Sequence, residues 1–284
     1  MKIGCVILNY NDSTTTINLL NKIKSFHLLN RIIVVDNCSK DNSYQALKEF
    51  EDSKIKVIQS TRNGGYGYGN NLGIKYLKEI DNPDFILIAN PDVQFTENVI
   101  NQMIENTSDD VALIAPLTLD MSGNVQLPVA WKVPRLKDFF LFSSIVLNKL
   151  FKPMSYTKDY FQKDICEVGC VQGSFFMINA KNIGDRIYDE NIFLYFEESC
   201  LGKMFQDRGL KTILLTNVTY IHAHSASINK TIKSEVNKRR IMLDSFLQYF
   251  KDYYHYPDIV IKIMNLFKKI ILVENTILLK IFYD

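Results

Sequence analysis

"DFILIANPDV" (residues 84–93) is the stretch on which the fold turns. Phe85–Ala89 is a short, continuously apolar run, as expected of a strand covered on both faces. It stops at Asn90, Pro91 and Asp92. Those three residue types are common turn formers, so a plain turn is one explanation. The other is that the strand's carboxyl end presents the Asp92 carboxylate to a metal ion or a polar substrate. The flanking sequence bears on the choice.

Outward from this run, "IGCVIL" (3–8), "RIIVVDN" (31–37), "IKVIQ" (55–59) and residues 111–115 are similar apolar runs. Helix-period segments separate them at about 13–25, 42–51, 69–80 and 97–106. Ser13 offers the first of these a cap, and Ile17, Leu20 and Ile23 fall on one side of it. This alternation predicts an α/β fold, a mostly parallel Rossmann-like sheet with helices on both faces. Ligands of such sheets bind beyond the carboxyl ends of the strands. That rule selects four polar loops: Asn9–Asp12, Asp36–Ser39, Thr61–Tyr68 and Asn90–Asp92. After residue 120 the pattern is irregular. Residues 124–151 hold two prolines and many aromatics and read as an insertion or lid. A strand returns within 169–180, followed by a helix at 198–208 and short strands near 212–215 and 218–222. From about residue 233 the sequence is helical.

The 284 residues are 47% hydrophobic, enough for one large domain or two intimate halves. The 33 basic and 31 acidic side chains leave a net charge of +2. That balance argues against a nucleic-acid partner. Five scattered cysteines with no zinc-site spacing read as reduced thiols of a cytoplasmic protein. The opening "MKIGCVILNYND" reads as a strand rather than a signal peptide. No uncharged apolar run reaches the roughly 18 residues of a membrane span.

Several short stretches carry chemistry. "STRNGGYGYGNNLG" (60–73) fits neither a dinucleotide fingerprint nor a P-loop. Its glycines let backbone approach a ligand, and a helix opening near Gly69 offers N–H groups to a phosphate. Asp36, at the end of a buried strand, suits a base imide or ribose hydroxyl, or else caps the next helix. Glu197 and Glu198 open a helix behind Phe193, Leu194, Tyr195 and Phe196. They are either surface acids favoured by the helix dipole or carboxylates desolvated enough to act as bases. "YIHAHSAS" (220–227) places His222 and His224 on one side of a strand, as structural residues or as metal ligands alongside Asp92.

Taken together, "VILNYN" (6–11), "VVDNCSKDNS" (34–43), "NGGYGYGNNLGI" (63–74), "ILIANPDV" (86–93), "VQGSFFMI" (171–178), "FLYFEESCL" (193–201) and "HAHSAS" (222–227) resemble the family 2 glycosyltransferases of GT-A fold. The resemblance is to the rhamnosyltransferase-like branch that builds bacterial surface polysaccharides, and it covers roughly residues 1–227. It implies a donor half (1–120), an acceptor half (121–227) and a helical extension (228–284). It implies that Asp36 contacts the nucleotide base beside Asn9, Tyr10 and Asn11. Asn63, Gly64, Gly65 and Asn70 would enclose the nucleotide sugar. Asn90 and Asp92 would stand where the family has its metal-binding acids, with Mg²⁺ or Mn²⁺ held by Asp92 and His222. Glu198 would be the catalytic base, with Glu197 next to it. The donor would be a UDP-, dTDP- or GDP-sugar and the acceptor a lipid-linked glycan. Two departures stand out: Asn90 replaces the first metal-binding acid, and Cys200 replaces an acid that follows the base. Two rival readings are a nucleotidyltransferase, whose basic Gly-rich signature "LNYND" lacks, and a sugar-nucleotide-binding protein without catalysis.

The last stretch, 258–284, interleaves a mostly basic stripe (Asp258, Lys262, Asn265, Lys269, Thr276, Lys280) with Ile259, Ile263, Leu266, Ile270, Val273, Ile277, Leu278 and Ile281. Such a helix is expected to pack on the catalytic domain or on a second copy in a homodimer. The alternative is peripheral contact with the inner face of the plasma membrane.

Overall fold

Each apolar run in the first 90 residues forms a strand, and each periodic segment between them forms a helix, in a computed structural model that describes residues 1–223 and 234–283. In order these are β1 (Ile3–Asn9), α1 (Ser13–Ile23), β2 (Arg31–Asp36), α2 (Ser43–Lys48), β3 (Ile55–Gln59), α3 (Tyr66–Asp81) and β4 (Phe85–Ala89). The short β5 (Val93–Gln94), α4 (Glu97–Glu105) and β6 (Val111–Leu119) follow. The 124–151 segment contributes β7 (Ala130–Trp131), α5 (Leu136–Ser143) and α6 (Ile145–Phe151). Then come β8 (Ile165–Val168), β9 (Cys170–Val171), β10 (Phe175–Asn179), α7 (Glu197–Asp207), β11 (Lys211–His222), α8 (Glu235–Tyr254) and α9 (Asp258–Tyr283).

The main sheet runs β3-β2-β1-β4-β10-β6-β11-β5, with β8 also paired to β11. Strands β1 to β4 are parallel, as the crossover helices require. β6 does not continue that series. β10 lies between β4 and β6, antiparallel to β4 from Phe175↔Ala89 to Asn179↔Phe85 and antiparallel to β6. β11 is one long strand parallel to β6, with a register shift between Leu215 and Thr219, where two short strands were expected.

Alternate residues of the strands feed two cores. Ile3, Cys5 and Ile7 face α1 and α4 through Leu19, Leu20, Ile100 and Met103. Val6, Ile33 and Val35 face α3 and α7 through Ile74, Leu77, Leu201 and Phe205. The approach of α3 to β1 explains part of the glycine-rich stretch. A Cβ at Gly69 would lie 2.2 Å from Leu8 Cδ1, and one at Gly73 would lie 2.5 Å from Val6 Cγ1. Gly69 thus serves helix-on-strand packing.

A third core joins the irregular regions. Phe139 of α5, Cys200 of α7, Phe246, Tyr249 and Phe250 of α8 and Met264 of α9 are all fully buried together. α9 packs inward through Met264 and Asn275, whose amide donates to Ser143 O (3.0 Å). The aliphatic stripe of α9 turns away from the catalytic domain. Ile259, Ile263, Leu266, Ile270, Val273, Ile277 and Ile281 are each more than half exposed. Among the described residues, no helix is long and apolar enough to cross a membrane.

Candidate active site

The register of the parallel strands puts three polar side chains abreast: Asn9, Asp36 and Gln59 end β1, β2 and β3 as direct neighbours. Asp36 is fully buried and accepts from Asn9 Nδ2 (2.9 Å), Gln59 Nε2 (3.1 Å), Ser39 Oγ (2.6 Å) and the Ser39 amide (3.0 Å). Asn9 Oδ1 in turn accepts from Thr16 Oγ1 (2.9 Å). Asn11 has positive φ (52°), and its side chain accepts from the Lys40 amide (2.8 Å). Tyr10 is half-buried on the same turn. Of Asp36's donors only Gln59 is exposed, so it is the one an incoming ligand could displace.

The glycine-rich loop is tied to this row. Asn37 Nδ2 donates to Asn63 Oδ1 and to Gly65 O, both at 3.1 Å. Gly65 adopts φ 95°, a conformation that favours glycine, and its missing Cβ leaves room for Phe193 O. Gly64 lies against the Tyr68 ring. α3 opens at Tyr66, three residues earlier than the glycine pattern suggests, and the Tyr66 amide is taken by Phe193 O (3.1 Å). Asn70 is buried, donating to Tyr66 O (3.0 Å), while its Oδ1 accepts no hydrogen bond.

Tyr66 itself links the loop to the strand end that ends in Asn-Pro-Asp. Its hydroxyl lies 3.0 Å from Asn90 Oδ1 and 2.8 Å from Gly173 O, in reach of both acceptors. The Asn90 amide donates to Ser174 O (2.8 Å), so β4 and the start of β10 are bound at this point. Ser174 meets the Tyr220 hydroxyl at 2.6 Å. Asp92, two residues on, faces His222, with Oδ1 3.4 Å from Nε2 and both side chains nearly buried. β5 pairs with the end of β11, His222 opposite Val93, and that pairing creates the contact. His224 lies outside the described residues.

Glu197 and Glu198 begin α7 after two residues in the left-handed region, Tyr195 and Phe196, each at φ 70°. Bulky side chains there are costly and need support. Phe196 receives it by stacking on Phe246 of α8, with centroids 4.1 Å apart. Glu197 is buried and its Oε1 has no hydrogen-bond partner. Burial, then the neighbouring Glu198, pushes its pKa well above the ordinary 4.5. Glu198 is half-buried, beside an apolar cavity lined by Cys170, Phe176 and Leu201. Burial raises its pKa too, partly offset by backbone N–H groups that include that of Gly173. The Glu198 carboxylate uses the space left by Gly173: a Cβ there would meet Glu198 Oε1 at 2.3 Å and displace that carboxylate. Cys200 is buried in the aromatic core and does not face the polar surface as an acid at that position would.

The polar ends of β1, β2, β4 and β11 thus join one network that also reaches Glu198. The sequence pattern of the family described as "Glycosyl transferase family 2" matches residues 5–185, well over half of the chain. The chain belongs to that family. Among relatives, the low-salt glycan biosynthesis hexosyltransferase Agl10 of Haloferax volcanii is 28% identical over 199 residues, 69% of this chain and 59% of that protein. The N-acetylglucosaminyl-diphospho-decaprenol L-rhamnosyltransferase of Mycobacterium tuberculosis is 26% identical over 210 residues, 68% of this chain and 67% of that one. This family 2 chain therefore spans only part of the length of these relatives. Its fold matches the mannosyltransferase PcManGT of Pyrobaculum calidifontis, solved with GDP-Man and Mn²⁺. The TM-score is 0.58 at 12% identity, covering 95% of this chain and 69% of that one. The α/β, mostly parallel sheet expected from the sequence is the GT-A architecture of such structures.

Among the described residues of this family 2 member, no three His, Cys, Asp or Glu side chains converge as a metal site would need. Asp92 and His222 nevertheless supply one oxygen and one nitrogen donor side by side, types that would suit a divalent cation. Asn90 is less suited as a ligand because its carbonyl oxygen faces the Tyr66 hydroxyl. Tyr66, Gln59, Thr16 and Gly173 complete the site without having been singled out in the sequence. Tyr66 sits inside the glycine-rich stretch and Gly173 inside "VQGSFFMI", but hydrogen bonds across such separations leave no local trace.

Proposed function

We propose that the chain is an inverting glycosyltransferase that moves a sugar from a nucleoside-diphosphate donor to a hydroxyl of a growing, lipid-linked glycan. Rhamnose is the first candidate sugar, and a cell-surface polysaccharide such as a capsule or O-antigen the destination. The observation that carries this reading is the double reach of Tyr66, whose hydroxyl touches both Asn90 of the Asn-Pro-Asp turn and Gly173 beside Glu198. One side chain spans the proposed diphosphate end and the proposed base.

In this reading the end of β2 and the loop through Asn63–Gly65 receive the nucleotide, with Asp36 toward the base. Asp92 and His222 hold Mg²⁺ or Mn²⁺. When bound, the cation supplies charge neutralisation for the leaving diphosphate. Glu198 accepts the proton of the acceptor hydroxyl. That oxygen bonds to the anomeric carbon as the bond to the diphosphate oxygen breaks, and attack from the opposite face inverts the centre. The raised pKa of Glu198 suits this role, because a carboxylate withdrawn from water is a stronger base. The 1–120 half serves the donor, the 121–227 half the acceptor, and α8 of the C-terminal extension braces Phe196.

A thermal-shift panel of UDP-, dTDP- and GDP-sugars with Mn²⁺ should single out one nucleotide. Slow hydrolysis of that donor, with inversion seen by NMR, is the expected result. Binding without any donor turnover would instead mark a sugar-nucleotide-binding protein.

A further inference from the structure

The outward face of α9 has no role in the reaction above. Its aliphatic stripe runs from Ile259 to Ile281, a rise of about 33 Å. Exposed lysines at 262, 269 and 280 lie along it. The other charged residues of the helix are engaged elsewhere. Lys268 pairs with Asp244 of α8 (2.5 Å), and Glu274 accepts from Ser144 Oγ (2.8 Å). Among the described residues, the exposed acid on α9 is Asp258, at its start. α6 joins α9 at Glu274 and Asn275 and exposes Val146, Leu150 and Phe151 with Lys149 and Lys152. A groove between α8 and α9 is lined by Lys251, Lys262 and Lys268.

We propose that α9 is a membrane-docking face, lying in the headgroup region of an anionic bilayer with its aliphatic stripe toward the acyl chains. The charge pattern selects this occupant. Lysines at the margin of an apolar stripe match anionic headgroups, each contributing attraction while its stem stays over apolar surface. A second copy of the chain would match less well. The stripe's spacing of three and four resembles a coiled-coil seam. However, the acid that could pair with Lys269 across such a seam, Glu274, is already held by Ser144. A self-interface would therefore bring Lys262 and Lys269 together, with Asp258 at the start of α9 as the one exposed acid of that helix among the described residues.

The test uses the full chain in vesicle flotation, with phosphatidylcholine alone and with added phosphatidylglycerol, at low and high salt. It needs no donor and no turnover, so it stands or falls apart from the catalytic reading. The protein should float with the anionic vesicles, stay off the neutral ones and lose at least about tenfold in binding at high salt. Replacing Lys262, Lys269 and Lys280 by Gln together should weaken binding by about 100-fold. Leu266→Gln with Ile270→Gln should weaken it by at least about tenfold while helical circular dichroism is kept, since both side chains are exposed. A wild-type chain that stays off anionic vesicles overturns the proposal, as does equal binding to neutral ones. A dimer in sedimentation that the Leu266/Ile270 pair dissociates, with no vesicle binding, would make the stripe a self-interface instead. The lipid and salt comparisons on the wild-type chain decide the matter even if a variant fails to fold.

Discussion

Asp36 and Glu197 are both buried carboxylates, yet the fold surrounds them in opposite ways. Asp36 accepts four hydrogen bonds, from Asn9, Gln59 and Ser39, and binds three strand ends into one row. Glu197 has a bare Oε1 and a second carboxyl as its neighbour. A saturated carboxylate organises structure; a starved one holds its proton tightly and makes the adjoining group sensitive to pH. In this molecule the architectural acid comes from the parallel sheet. The pair of carboxyls with raised pKa comes from a helix start that strained backbone and an aromatic stack hold in position.

The contrast can be broken most directly at Glu198. Glu198→Gln should keep donor binding in a thermal-shift assay and lose roughly 10²–10⁴-fold in turnover. Unchanged turnover would move the base to Glu197. Next in size is Asp36→Ala, which strands the Asn9, Gln59 and Ser39 donors. Urea unfolding should show a loss of about 3 kcal/mol, the scale of buried groups left unsatisfied. A loss below about 1 kcal/mol would mean that water replaces the carboxylate easily. Asp92→Ala should weaken donor affinity by about tenfold in Mn²⁺ and leave it unchanged in EDTA. Wild-type activity that survives EDTA would leave His222 and basic groups to balance the diphosphate.

The smallest effect is the pH dependence. Burial raises the folded pKa of Glu197 above 4.5, so the folded state holds that proton more tightly than the unfolded chain. The resulting stability is complete below the unfolded value and is lost as pH rises through the folded one. Glu197→Gln should flatten that decline in melts recorded across pH. For turnover the sign is opposite, since the base must be deprotonated. The acid limb of kcat should therefore lie above the ordinary carboxylate value, and an acid limb at the ordinary value would argue against desolvation of Glu198.

The parallel half was legible in the sequence because its strands are covered on both faces and its crossovers are local. IGCVIL, RIIVVDN, IKVIQ and FILIA announce themselves. β8 did not, since its burial alternates over only four residues and Ile165 is exposed. The neighbours of β4 were also hidden, because the pairing of Ala89 with Phe175 depends on chain far away. In the site, Asp36, Asp92, His222 and Glu198 stood out by residue type and by position at element ends. Tyr66 did not, because a tyrosine among glycines looks like a loop aromatic until its hydroxyl is seen between Asn90 and Gly173. α9 showed its two stripes in sequence, but which one met the protein depended on Met264 and Asn275 fitting the third core.

The insertion of β10 between β4 and β6 also governs how the chain can be made. On the ribosome β1 to β4 can pair as they emerge, but the free edge of Phe85–Ala89 must wait for Phe175–Asn179. At typical synthesis rates those roughly 90 residues take on the order of ten seconds. For that interval the nascent chain exposes an unpaired, wholly apolar edge, the kind of strand that recruits other strands. Overproduction in a heterologous host is therefore expected to be limited by aggregation of incomplete chains rather than by the stability of the finished fold, and slower growth or added chaperone should raise the soluble yield.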